Sequence, residues 1–194
     1  VVQPLPVLDL AVNSASERGL LSMVLHPNFP TTPHAFISWT ESNTGADTNP
    51  NASGISSRFL TLTIESADSR ETVPVPETLK GGDHSRPALA YDSDSETLFV
   101  FWQKAPTPMA TELLFCSYND GKWSPATSIS GTTAFRFRSN LRVGVTHKFE
   151  HVDEETGDRS TLPGVTVHAV WWEDTGLSQS ARYAMLAIEK GAVS

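Results

Sequence analysis

With 194 residues, 39% of them hydrophobic and 19% charged, the chain has an ordinary globular composition and length for one good core or two small ones. A net charge of −8 repels a nucleic-acid backbone, and no run of roughly 18 apolar residues offers a membrane span. The single cysteine, Cys116, excludes an internal disulfide and a thiolate metal cluster.

The chain opens on VVQPLP, without a Met, and stops on EKGAVS straight after a strand-like run. A removed leader and a piece of a longer chain are the two readings of those ends. The stretch SERGLLSMVLHPNFPTTPHAFISWTES, Ser16–Ser42, reads as strands Leu20–Leu25 and Ala35–Trp39 joined by a turn rich in Pro, Asn and Thr. Ser14–Leu20 has room for one helical turn. His26 closes the first strand, where a histidine serves as ligand, base or packing; a strand-end imidazole bonded to nearby backbone is the expectation. Asn43–Ser57 has no apolar pattern and is expected as an exposed loop; it contains the glycosylation-type triplet Asn51-Ala52-Ser53.

A strand follows at Phe59–Ile64. Ser66–Gly82 is then polar, Pro-rich and finally Gly-Gly, and marks a boundary: residues 1–65 as one unit, 66–84 as a linker, 85–194 as the remainder. Further strands are expected at Ala88–Tyr91, Leu98–Trp102, Leu113–Tyr118, Leu141–Thr146, Val165–Trp172 and Arg182–Ile188. Cys116 sits in the alternating run ELLFCSYND and is expected to be a buried packing thiol. Convincing helical periodicity is absent, so the chain is all-β.

The strands repeat. PALAYDSDSETLFVFWQK with ELLFCSYNDGKWSPATSIS gives an inner strand, a turn, a strand ending in Trp, a third strand and a short Trp-led edge. LRVGVTHKFEHVDEETGDRSTLPGVTVHAVWWED with ARYAMLAIEKGAV repeats that order around a longer acidic insertion, and the opening stretch has it again. Three units of four-stranded antiparallel sheet are the pattern of β-propeller blades. Three blades leave an open ring, so a homo-oligomer or a place in a longer chain is expected.

Two resemblances sharpen this. In NSASERGLLSMVLHPNF, AFISWTES, NTGADT and SRFLTLT, residues 12–62 resemble the pyrroloquinoline-quinone (PQQ) dependent soluble sugar dehydrogenases, a six-bladed propeller family. That family's base is a histidine opening a blade, and GGDHSRPALAYDSDSETLFVFW offers His84 in that place. The resemblance implies that His84 takes a hydroxyl proton from an aldose while hydride passes to PQQ, with Ca²⁺ as the cofactor's partner. Ser85-Arg86-Pro87 replaces the family's glycines, Trp102-Gln103 its Gly-Asp strand ending, and its later Arg and Ca²⁺ loop have no match.

From residue 85 onward, SRPALAYDSDSETLFVFWQ, YNDGKWSPATSIS and VTVHAVWWED resemble the sialidase-like propellers. Ser117–Trp123 approximates that family's Asp-box, with Asn119 in the acidic place and Trp123 one position early. An Asp-box is a folding element in which polar side chains close the turn and the aromatic packs between strands. Arg86, Arg136, Arg138 and Arg142 are candidate carboxylate-binding guanidinium groups of a sialidase-like hydrolase. Arg136 and Arg138 also alternate along FRFRSNLR, sharing one face that meets the acidic loop. No Tyr/Glu nucleophile pair can be named.

The other constellations have plainer readings. Asp153-Glu154-Glu155 with Asp158 has the hard oxygens of a Ca²⁺ loop without the EF-hand order, and reads as a solvated hairpin tip; His147 and His151 flank it. No metal site is assigned. His168 in VTVHAVWW is expected to pack in the core, and Trp171-Trp172 to place one indole on each face. The functional expectation is an extracellular or periplasmic, carbohydrate-related propeller module that binds or assembles, with Arg86, Trp123 and Arg142 as ligand-binding candidates. The alternatives are a PQQ-dependent sugar dehydrogenase with His84 as catalytic base, and a sialidase-like hydrolase. Residues 1–65 and 85–194 also raise a composite chain as a reading beside divergent blades of one protein.

Overall fold

A computed structural model describes residues 19–29, 31–42, 58–107, 110–130, 137–152, 156–157 and 159–189. The expectations for Ser14–Arg18, Asn43–Ser57, Arg136, Asp153-Glu154-Glu155 and Asp158 lie outside these residues. What is described is all-β, its strand pairs antiparallel except for one, with one short 3-10 helix.

The middle of the structure follows from TLFVFW. An apolar run without polar alternation can be satisfied only in a strand covered on both faces. In β6 (Thr97–Thr107), Leu98, Val100 and Trp102 enter one core, while Phe99 and Phe101 enter another on the opposite side. Its antiparallel neighbours β5 (Asp83–Asp92) and β7 (Ala110–Asn119) divide the same way. Leu89 and Tyr91 join the first core and Ala88 and Ala90 the second; Leu114, Cys116 and Tyr118 go one way and Leu113 and Phe115 the other. β7 also carries the short strands β8 (Lys122–Trp123) and β9 (Thr127–Ser128).

The first core is closed by β1 (Gly19–Leu25), β2 (Ala35–Ser42), β3 (Arg58–Glu65) and β4 (Arg70–Pro74), an antiparallel set in that order. Val24, Phe36, Leu60, Leu62 and Val73 face the middle strands. The two sets are joined by one parallel strand pairing, Arg58 with Asp83, and by the Leu89 amide, which donates to Ser22 Oγ at 3.2 Å. The second core is closed by a separate three-stranded sheet, β10 (Phe137–Val152), β11 (Arg159–Asp174) and β12 (Gln179–Glu189). Leu141, Val165, Val167, Ala169 and Trp171 are its inward side chains. Three antiparallel layers therefore stack, and β5 is the strand that β1 and β10 approach most closely from either side.

Ser66–Gly82, expected as a linker, connects the first two layers with structure of its own. It holds β4 and the 3-10 helix Pro76–Lys80. Val75 is fully buried, and the Thr78 hydroxyl accepts the Leu60 amide at 3.0 Å while donating to the Val75 carbonyl at 2.7 Å. The prolines that looked like linker punctuation end β4 and start the 3-10 turn.

A buried cross-strand ion pair within the third layer holds the arginine that ties this layer to the middle one. Arg138 on β10 reaches Glu173 on β11 at 3.2 Å, with both side chains almost fully buried. The Arg138 guanidinium also donates to the carbonyls of Thr111 on β7 and of Ser130, and its backbone amide donates to the Thr111 hydroxyl at 2.6 Å. Arg138, expected to meet the acidic loop, meets a strand carboxylate instead.

Candidate functional site

Among the described residues, three open clefts border the hairpin that ends β7. Asp120 and Gly121 form its two-residue turn, with φ of 46° and 73°. Two successive left-handed residues make a type I′ turn, which Asp-Gly favours and whose twist matches the strands it joins. This register sets Tyr118 opposite Trp123, and their rings meet at 4.8 Å, tilted by 53°. Just beyond, the Ser117 amide donates to Ser124 Oγ and the Ser124 amide to the Ser117 carbonyl, each at 2.9 Å. Trp123 is thereby held from both sides, half-buried and packed against the first core.

Asn119 ties this hairpin to the turn between β5 and β6. Its Nδ2 donates to the carbonyls of Ser95 at 2.7 Å and Glu96 at 3.1 Å, and to Thr97 Oγ1 at 3.0 Å. A carboxylate cannot donate, so Asn rather than Asp suits this position. Within the neighbouring turn, Asp92 Oδ2 accepts the Ser95 amide at 3.1 Å and the Ser95 hydroxyl. Two polar turns are thus locked into one rigid rim.

Between these turns opens a cleft of about 530 Å³, bordered by Ser95, Thr97, Asn119, Asp120, Lys122 and Trp123. A second, of about 270 Å³, shares Asn119 and Asp120 and runs on to His26, His34, Glu71 and Tyr91. His26 is the strand-end histidine that was expected: its Nδ1 accepts the Asn28 amide at 3.1 Å, and its ring lies 5.4 Å from that of Tyr91. Burial raises the pKa of both Tyr91 and Tyr118, and nearby carboxylates (Glu96 then Asp92 for Tyr91, Glu71 then Asp120 for Tyr118) push the same way. Both phenols therefore stay protonated at neutral pH, as hydrogen-bond donors rather than nucleophiles. Among the described residues no group of three His, Cys, Asp or Glu is placed to hold a metal ion.

The residues singled out from the sequence fall in different places. His84 has no exposed surface; Trp102 Nε1 donates to its Nδ1 at 2.9 Å, and its Nε2 faces the Gly81 carbonyl at 3.1 Å. Burial lowers its pKa, opposed by the Gly81 carbonyl and reinforced by Lys104, so the ring is neutral with its proton on Nε2. Both nitrogens are engaged, and a base needs one free lone pair at a surface. Arg86 is exposed, with φ of 52°, in the bulge between Ser85 and Ala88. Trp123 stands at the other end of the layer: its partner Tyr118 lies opposite Leu98, while Ser85 lies opposite Gln103. Five residues along β6 separate the two ends by about 17 Å. Arg142 is exposed on the outward side of β10, its Nη1 donating to the Leu141 carbonyl at 3.0 Å. These four residues are not brought into one site.

His168, expected in the core, lies on the outward side of β11. Its Nε2 is 2.8 Å from Thr146 Oγ1 and its Nδ1 2.7 Å from the Tyr183 hydroxyl. Alternation does hold at Trp171 and Trp172, which are 6% and 48% exposed, one on each face. The cleft residues Ser95, Thr97 and Tyr118 carried no sequence signal of their own; the spacing of the two turns, DSDSET and YNDG, was the available cue.

Compared with known protein families and with curated proteins, the chain matches none. What fold and site define is an all-β protein of three stacked antiparallel layers with open polar clefts at the hairpin end of the middle one.

Proposed function

We propose that this chain is a carbohydrate-related binding module built of β-propeller blades, and that the cleft beside Trp123 takes the sugar. The observation that carries the binding reading is the composition of that cleft. A half-buried indole, held by Tyr118, stands beside the Ser95 and Thr97 hydroxyl oxygens, the Asn119 amide oxygen and the Asp120 carboxylate. An apolar ring face next to convergent hydroxyl-sized donors and acceptors is what a pyranose needs, with its C–H face and its equatorial hydroxyls. The rim is pre-organised, so little ordering cost falls on binding. The blade reading is supported by three consecutive antiparallel layers stacked face to face, with the first strand of each, β1, β5 and β10, drawn closest together.

A glycan array probed with the chain and with Trp123→Ala tests the reading. Saturable signal for a defined glycan class, reduced at least tenfold in the variant (about 1.4 kcal/mol), is the expected result. A silent array over a broad glycan set, or signal unchanged by Trp123→Ala, would overturn it.

A further inference from the structure

The third layer has an unfinished edge. β12 pairs with β11 along its whole length, from Gly164 opposite Glu189 to Asp174 opposite Gln179. Among the described residues no strand lies along its other side. In the first two layers the third strand does have a further partner: β4 lies on β3, and β8 and β9 lie on β7. An edge of eleven residues presents a row of main-chain donors and acceptors to any extended chain that approaches.

Both faces of β12 are also incompletely covered. Outward, Tyr183 is 58% and Met185 59% exposed, beside Val170 at 45% and Trp172 at 48% on β11. Inward, Ala184, Leu186 and Ile188 pack against the second core yet remain only half-buried. Between Ser180 and Ile188 the only charged residue is Arg182, which is paired with Glu173 at 3.1 Å. Edge strands kept solitary are protected by charges, prolines or a bulge; this strand has no proline and no bulge, and its charges are Glu189 at its end and Arg182, which is paired with Glu173.

We propose that the free edge of β12 pairs antiparallel with β12 of a second copy of this chain, across a two-fold axis, making one six-stranded sheet. A second copy fits because the edge is self-complementary: an antiparallel two-fold sets the outward apolar positions around Tyr183 and Met185 against each other, with the inward Ala184, Leu186 and Ile188 on the same side. It fits in charge as well. A chain of net charge −8 repels itself over most of its surface, and β12 is a stripe from which carboxylates are absent between Ser180 and Ile188. The stripe of β12 with Val170 and Trp172 is about half of the 20–30 residues per side of a standard interface, so a dimer forming at micromolar concentration is expected.

Sedimentation equilibrium between roughly 1 and 200 µM tests this. The wild-type mass is expected to rise with concentration from 21.1 kDa to twice that. The pair Tyr183→Lys with Met185→Lys changes only exposed side chains; it is expected to weaken association at least 100-fold and leave a monomer throughout. Ala187→Lys, also exposed on β12, is expected to act in the same direction, and Leu177→Lys at the hairpin tip to change nothing. Amide exchange in β12 of the wild type should slow as concentration rises. A wild type that stays monomeric at 200 µM would overturn the proposal, as would association equally strong in the paired lysine variant.

Discussion

The clamp between Arg138 and Glu173 gives the sharpest stability prediction. Glu173→Met removes the carboxylate and keeps an unbranched side chain of similar length. The Arg138 guanidinium, 1% exposed, then remains charged beside the carbonyls of Thr111 and Ser130 without the Glu173 carboxylate. Breaking a buried pair from one side costs about 3–5 kcal/mol, because an uncompensated charge stays in a medium of low dielectric. Set against a total stability of about 5–15 kcal/mol, and at about 2–4 °C per kcal/mol for this size, the melting temperature should fall by roughly 6–20 °C. Arg182, about half exposed, also loses its partner, but a solvated guanidinium adds little to the cost. The discriminating variant is Arg138→Met with Glu173→Met, which removes both charges and should recover most of the loss. Urea unfolding of the three proteins, with unchanged slopes, reads the difference. A single variant costing under about 1 kcal/mol, or a double variant no more stable than the single, would refute the idea that the cost is that of a stranded charge.

Three further outcomes are expected. Asn119→Asp replaces an amide that donates to Ser95, Glu96 and Thr97 by a carboxylate facing two carbonyls, and should cost about 1–3 kcal/mol in urea unfolding; an unchanged midpoint would mean the two turns are not locked together. His84 has a folded-state pKa below the ordinary 6.5, so the unfolded chain binds the extra proton first. Stability is then full above about pH 6.5 and falls as pH drops below it, by at most about 1.4 kcal/mol per unit, and His84→Gln should flatten that slope in denaturation series between pH 7.5 and 5.5. Cys116, buried with its thiol pushed up to about 12, should resist alkylation in the native state at pH 8 and react once urea unfolds the chain; rapid native labelling would contradict its burial.

Strand content was legible because it rests on local pattern. Each of the nine expected strands is present, and LFVFW announced its two-sided burial by having no polar alternation at all. β4 was missed because RETVP carries one apolar valine between polar residues, and its strand character comes from pairing with β3 rather than from propensity. Long-range partners were not legible in the same way. That Arg138 meets Glu173 thirty-five residues away, and that Asn119 serves another hairpin's turn, depends on strand order and register within a sheet. His168 illustrates the limit: VTVHAVWW fixes which residues share a face, but not which face the neighbouring layer covers. Trp123 was found for a related reason, since YNDGKW encodes its own turn and the turn alone fixes the Tyr118–Trp123 pair.

The most direct test of the account is an NMR titration with an oligosaccharide panel, following the Trp123 indole and Asn119 side-chain amide signals. The account predicts that one glycan class shifts both saturably, while the Trp172 indole, on the outward face of the third layer, stays unmoved. Saturable shifts that begin at Trp172 or elsewhere and leave Trp123 and Asn119 in place, or no saturable shift with any glycan, would contradict it.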